Sequence, residues 1–338
     1  MKNRVTKINY TILRTVLLDE ALSKFHDLEI VGITKPPEED KLTYNEEKAE
    51  NMMAALSEYD SKQKIYLTDF LWRDGPPVLD DNRKRAQACC YKIVKQYKDD
   101  PKAMEMINAA YQALLDNNFA TPVKVYDINR KDCHYLSSFP VIDMQRNTKC
   151  RLCFNAKAHI KKYNKSFNDL LLPGSTAYLP NLTSTILYYR LKRIALMADL
   201  KSMFLSFHIK SPHWQRFYWS WGGNVLQSYE LNRLGFGFSS SPYEAGYLLY
   251  HHSKSFSNDP EHKIASETLC KRVYVDDLCT SIGENIEEAK KLVSSMEFIF
   301  SQASLKSHKW VSNEKSILSN LKKEDILEDK FVKALGMR

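Results

Sequence analysis

Two adjacent carboxylates set between apolar residues constrain this chain more than any other stretch. They are Asp276 and Asp277, preceded by Val273, Tyr274 and Val275 and followed by Leu278, Cys279 and Thr280. β-Branched and aromatic residues on both sides predict two short strands meeting at a tight turn, with Asp276-Asp277 as the turn itself. Neighbouring carboxylates repel, and a divalent cation is the commonest compensation. A solvated acidic turn is the plainer alternative for a lone acidic pair. The flanking apolar residues count against it, because they carry the carboxylates to the edge of a core.

The rest of the composition bounds what such a core can be. With 338 residues and 43% hydrophobic content, the chain is long enough for two or three sub-domains. Residues 1–14 lack the apolar core of a signal peptide, and no apolar run is long enough to span a bilayer. Seven cysteines, an odd number, argue against a disulfide framework and for a reducing compartment. Cys150 and Cys153 form a C-x-x-C pair, but no second pair stands at zinc-ligand spacing. The net charge of +8 is unevenly distributed: residues 1–130 sum to about −1 and residues 131–338 to about +9. Residues 146–216 carry 13 lysines and arginines against only Asp169 and Asp199. A solvated basic face is one reading of that block. A polyanion-binding surface with an acidic site embedded in it is the other.

Along the chain, the periodicity predicts a short amphipathic helix over 16–32, a charged linker over 35–41 and a second helix over 44–59. A strand is expected over 64–72, ended by Asp74-Gly75-Pro76-Pro77. Helices follow over 82–99 and 101–117, separated by the cap and first-turn proline Asp100-Pro101. Residues 134–155 read as a hairpin with a polar turn at 145–148. A short helical piece is expected over 166–174, a helix over 181–190, a buried strand over 194–199, an aromatic strand over 213–221, and helices over 242–254 and 286–303. From 190 onward the order strand, strand, helix, hairpin, helix implies a sheet with helices on one face.

Asp199 closes the 194–199 strand. If that strand neighbours the 273–280 hairpin, three carboxylates converge, an arrangement suited to two-metal phosphoryl transfer. Three segments then resemble the successive palm motifs of reverse transcriptases: Ala198-Asp199-Leu200-Lys201-Ser202-Met203-Phe204, Gly237-Phe238-Ser239-Ser240-Ser241-Pro242 and Tyr274-Val275-Asp276-Asp277. Lys149 to Ala156 and Ser166 to Gly174 are similar to the fingers segments of one lineage, the BEL/Pao long-terminal-repeat retrotransposons, and the likeness runs from about Leu18 to the end.

The resemblance implies roles. Asp199, Asp276 and Asp277 would be the metal-binding catalytic residues, with the backbone carbonyl of Leu200 as a further ligand. The metal would be Mg²⁺, as two ions, with Mn²⁺ as a substitute. Phe204 would lie under the sugar and exclude a 2′-hydroxyl; without the motif it reads as a core aromatic. Lys149 and Arg151 would hold the triphosphate, Arg151 as the better bidentate partner, or be ordinary solvated strand charges. Gly237 would admit the incoming base, beside Phe236, which stands where many retroviral enzymes carry Gln. Lys309 would be the general acid for pyrophosphate, with Lys306 as rival and a plain surface lysine as the alternative for both. Leu335, Gly336 and Met337 resemble the start of a primer grip.

The expected architecture is therefore α+β, a right-hand polymerase fold with an antiparallel palm sheet carrying helices on one face. The expected layout is a helical lead over 1–60, fingers over 61–190 and palm over 191–338, with no thumb following. The expected activity is RNA-directed DNA polymerisation within a longer polyprotein that also supplies protease, RNase H and integrase. The expected partners are an RNA or DNA template, a primer and deoxynucleoside triphosphates, with no membrane, in a cytoplasmic virus-like particle or the nucleus. A nucleic-acid-binding remnant without polymerase activity is the alternative.

Overall fold

Caps and turns set most element boundaries in the computed structural model, which describes residues 43–79, 81–142, 150–159, 165–222 and 225–328. The helix expected over 16–32, the linker over 35–41, the turn over 145–148, Lys149, Leu335, Gly336 and Met337 lie outside the described residues. Helix α1 (Tyr44–Leu56) buries Ala49 and Met53. The chain then reverses through a hairpin of β1 (Glu58–Asp60) and β2 (Ile65–Thr68), so Tyr59 belongs to a strand rather than to the helix expected over 44–59. Asp60 organises that turn by accepting from the Lys62 and Gln63 amides at 2.8 and 3.0 Å. Helices α2 (Arg83–Tyr97) and α3 (Pro101–Asp116) meet where sequence places them, and the Asp100 side chain caps α3 through the Ala103 amide.

Strand β3 (Ala120–Pro122) is followed by the hairpin β4 (Ser137–Ile142) and β5 (Cys150–Asn155). A 3₁₀ turn spans Asn168–Leu170. Helix α4 (Leu182–Tyr189) is capped by Asn181. Then come β6 (Ile194–Leu200), the single-turn α5 (Met203–Ser206), β7 (His208–Ile209), β8 (Arg216–Trp219) and β9 (Gln227–Leu231). The remaining elements are α6 (Ser241–Lys254), α7 (Lys263–Arg272), β10 (Val273–Tyr274), β11 (Asp277–Ile282), α8 (Ile286–Ser301) and β12 (Ser307–Ser312).

Among the described residues these strands make four sheets: β1-β2-β7, β3-β9-β8, β4-β5 and β10-β11-β6-β12. Every pairing between strands is antiparallel except β2 with β7. The chain is thus α+β, built from helices and small, mainly antiparallel sheets. Helices α4 and α7 pack on β11, and α8 packs on α7, burying Ala289, Met296 and Ile299 completely. No helix among the described residues is long and apolar enough to cross a membrane.

The aromatic strand is shorter than the 213–221 expected, running over Arg216–Trp219. All four residues of β8 are buried, because ring stacks cover it: Trp219 on Tyr111 at 3.9 Å and Tyr218 on Tyr135 at 4.6 Å. Arg216, counted in the basic block, is fully buried and pairs with Asp127 and with Glu230, the latter at 3.3 Å. It is a structural ion pair, not part of a surface.

Candidate catalytic site

The four-stranded sheet joins segments far apart in sequence. β11 pairs with β6 in unbroken register from Asp277 opposite Asp199 to Ile282 opposite Ile194. Both faces of that ladder are packed: Leu196, Ala198 and Leu278 are almost wholly buried, and so are Met197 and Cys279 between them. The two aspartates therefore face each other across the ladder at one end of the sheet. Asp276 joins them from the turn, where its carbonyl accepts from the Leu200 amide at 2.8 Å.

The turn is not where sequence puts it. Tyr274 pairs with Asp277, so Val275-Asp276 is the two-residue loop and Asp277 is already in the strand. Asp tolerates turns better than Val, but Asp277 is paired with both Tyr274 and Asp199, and Val275 accepts φ +57°. Two-residue hairpin loops of the types that suit strand twist need positive φ at their first position. A β-branched residue there is strained.

β12 flanks β6 on the other side, with His308 opposite Asp199. Between His308 and Val311 the ladder shifts register, and Lys309 sits in this bulge at φ +53°. The bulge is pinned by Trp310, which is fully buried and donates its indole N–H to Ser307 Oγ at 2.9 Å. Both neighbours reach the same carboxylate oxygen. Lys309 Nζ donates to Asp199 Oδ2, and His308 Nε2 lies 3.2 Å from it.

Burial is the first cause of the pKa shifts in this corner. It pushes Asp277 up to about 6, with the Asp276 and Asp199 charges adding and Lys309 opposing. Asp276 is raised by burial and by Asp199, against Lys309 and His308. Burial lowers His308 and Asp199 pulls it back. Among the described residues, no three carboxylate, imidazole or thiol groups already stand at metal-ligand spacing. Asp199 is held by the two basic side chains of β12 instead.

The other expected residues are spread around this corner. Phe204 is half-buried on α5 and meets Phe236 edge-on at 5.3 Å. Phe236 is 37% exposed. Gly237 has φ +92°, and a Cβ there would come within 2.6 Å of the Phe154 carbonyl oxygen, so this backbone needs glycine. Arg151 is exposed on β5 opposite Val141, and Lys306 is exposed beside β12. Leu200 is buried and offers only its backbone.

Sequence reasoning passed over three residues. Asn168 clasps the Gly237–Ser239 loop, donating to the Gly237 carbonyl at 2.9 Å and accepting from the Ser239 amide at 3.1 Å. His308 and Trp310 shape the Asp199 environment. The lone tryptophan in a polar run was the available signal for β12. Behind the hairpin lies a cleft of about 230 Å³, lined in part by Gly174, Tyr178, Tyr243, Tyr250 and Val275. Tyr178 and Tyr243 both donate to Glu50 from α1, which fixes that wall.

No family profile matches the chain, and no curated protein matches it in sequence. Solved structures do resemble it. A foamy viral protease–reverse transcriptase in complex with an RNA/DNA hybrid is 17% identical, with a TM-score of 0.43, over 63% of this chain and 24% of that one. The same kind of protein in complex with double-stranded DNA is 18% identical, with a TM-score of 0.41, over 70% and 38%. A form described as dRH, also with double-stranded DNA, is 18% identical, with a TM-score of 0.39, over 60% and 30%. The chain spans less than two fifths of the length of each of these proteins.

Proposed function

We propose that this chain is the fingers and palm of an RNA-directed DNA polymerase, of the BEL/Pao type that its motifs resemble. Asp199, Asp276 and Asp277 would be its catalytic residues. One observation carries the reading: the ladder that sets Asp277 opposite Asp199, with Asp276 in the adjoining turn. Two half-buried acids set face to face by backbone register, with a third exposed beside them in the turn, repel one another unless a cation answers them.

The donor set fits Mg²⁺. It would be all oxygen, from three carboxylates with the Leu200 carbonyl as a further ligand, and burial first and mutual charge second raise Asp276 and Asp277. Bound there, two such ions would supply Lewis-acid charge for attack of a primer 3′-hydroxyl on a deoxynucleoside triphosphate. The protein's own part is placement. Register fixes Asp199 against Asp277, and the Leu200–Asp276 backbone bond holds the turn to the strand end. Phe204, braced by Phe236, would close the space beside the sugar, and Gly237 would let the backbone approach the base. Arg151 would grip phosphate oxygens from the fingers hairpin. Template and primer would lie along exposed basic residues such as Arg151, Lys157, Lys192, Arg193 and Lys201.

The test is primer extension on an RNA template with Mg²⁺. Asp276→Asn should lower the rate at least about a hundredfold, the several kcal/mol that metal-held charge contributes. Extension at the wild-type rate by the variant would overturn the proposal.

A further inference from the structure

Asp199 already has a cation, and the protein supplies it. Lys309 is not placed by ordinary strand geometry: it occupies the bulge between His308 and Val311 at φ +53°. Left-handed backbone at a residue with a Cβ is disfavoured and persists only where surrounding packing dictates it. Here the packing is visible. Trp310, next in sequence, is fully buried, bonded to Ser307 and bridged to Ile326. Seating that indole forces the preceding residue out of the ladder and directs its ammonium onto Asp199 Oδ2. His308, on the same strand, stands 3.2 Å from that oxygen as a neutral or charged second partner. Asp276 and Asp277 receive no such direct donor among the described residues.

We infer that Lys309 is a tethered counter-ion which occupies the Asp199 carboxylate until a divalent cation displaces it. The inference rests on the proposed metal site and adds a competitor to it. A site of three acids, two of them half-buried, must fold before its metal and nucleotide arrive, and an ammonium on one of them relieves the repulsion in that interval. Displacement is structurally easy, because the Lys309 side chain is 53% exposed and returns to water when it leaves. The contact is also an exposed ion pair, weak enough for a coordinated ion to break. As a general acid, Lys309 would have to reach the leaving phosphates of the proposed reaction. The counter-ion role needs no proton transfer from it.

Two effects of opposite sign separate this role from that of a proton donor alone. Removing the ammonium should loosen the metal-free protein and tighten its grip on metal. The measurement is Mn²⁺ binding, read from the free-ion electron paramagnetic resonance signal, together with Tm in chelator. The chains compared are wild type, Lys309→Gln, Lys309→Met and Lys309→Arg, each checked for folding by far-UV circular dichroism. Gln and Met both keep a long unbranched side chain in the bulge, so one stands if the other fails to fold. The neutral variants should bind Mn²⁺ about twofold to fivefold more tightly, the ratio set by an exposed ion pair, and should lose Tm in chelator. Lys309→Arg should behave as wild type in both. Wild-type Mn²⁺ binding that is lost in Asp199→Asn, with Kd unchanged or weaker in the neutral variants, would overturn the counter-ion role and leave the metal site standing. No Mn²⁺ binding by the wild-type chain would overturn both.

Discussion

Glu244 shows what one residue can cost this fold. It lies on the buried side of α6 at 1% exposure, and neither carboxyl oxygen finds a hydrogen-bond partner of ordinary geometry among the described residues. Burial pushes it up to about 8, with the Asp69 charge adding and the Ser240 hydroxyl opposing. An acid raised in the folded state favours folding while protonated. That contribution is complete below the unfolded value of about 4.3 and is lost as pH rises through about 8. Stability should therefore fall between about pH 4 and pH 8, and Glu244→Gln should flatten that slope and raise Tm at pH 8; thermal melts across the range check it. Gly237 is a second single-residue constraint. Gly237→Ala combines φ +92° with a 2.6 Å approach to the Phe154 oxygen, and should lower unfolding free energy by about 1–3 kcal/mol in denaturant titrations. The aspartates and Gly237 were legible in the sequence because their chemistry is unusual for their surroundings. Lys309 was legible only as a lysine. Its contact depends on a backbone conformation that no local residue announces.

At the scale of elements, the loop Gly237–Ser239 is held by a side chain about seventy positions away. Asn168 makes two hydrogen bonds to that loop, and its own carbonyl accepts from Ser239 Oγ at 3.3 Å. Asn168→Ala leaves those backbone groups without their partner and should cost about 1–3 kcal/mol. In the proposed enzyme it should also raise KM for nucleotide more than it lowers kcat, which steady-state kinetics would show. The elements that sequence located well carry their own stop and start signals: Asp100-Pro101 before α3, Asn181 before α4 and Asn285, which caps α8 through the Glu287 and Glu288 amides. Those it missed lack such signals. Helix α7 buries only Ala265, Ser266 and Leu269, so no apolar stripe marks it. β12 is polar and broken by its bulge, which erases the alternation a strand should show. β3 is three residues long and exists because β9 pairs with it. The hairpin turn was placed one residue late, since turn preference points to Asp while pairing with Tyr274 and Asp199 draws Asp277 into the strand.

For the whole molecule, charge distribution is the feature sequence conveyed most directly, with Arg216 as the residue to subtract. The exposed remainder, including Arg151, Lys157, Lys192, Arg193 and Lys201, gives the polymerase reading a long-range test. Binding to a labelled RNA/DNA hybrid, followed by fluorescence anisotropy, should weaken at least about tenfold between about 50 and 200 mM salt. A flat response would remove phosphate contact from the account. The three acids also depended on this scale: their residue types were visible, but only the β10-β11-β6-β12 sheet brings them together. That sheet has a further consequence through Trp310. Of five tryptophans, the other four fall between residues 72 and 221, so Trp310 alone lies in the C-terminal third. It is sealed from water one position from Lys309. Its ultraviolet emission is thus a built-in optical probe beside the acidic corner, and a change in that emission as metal is added could be followed without any attached dye.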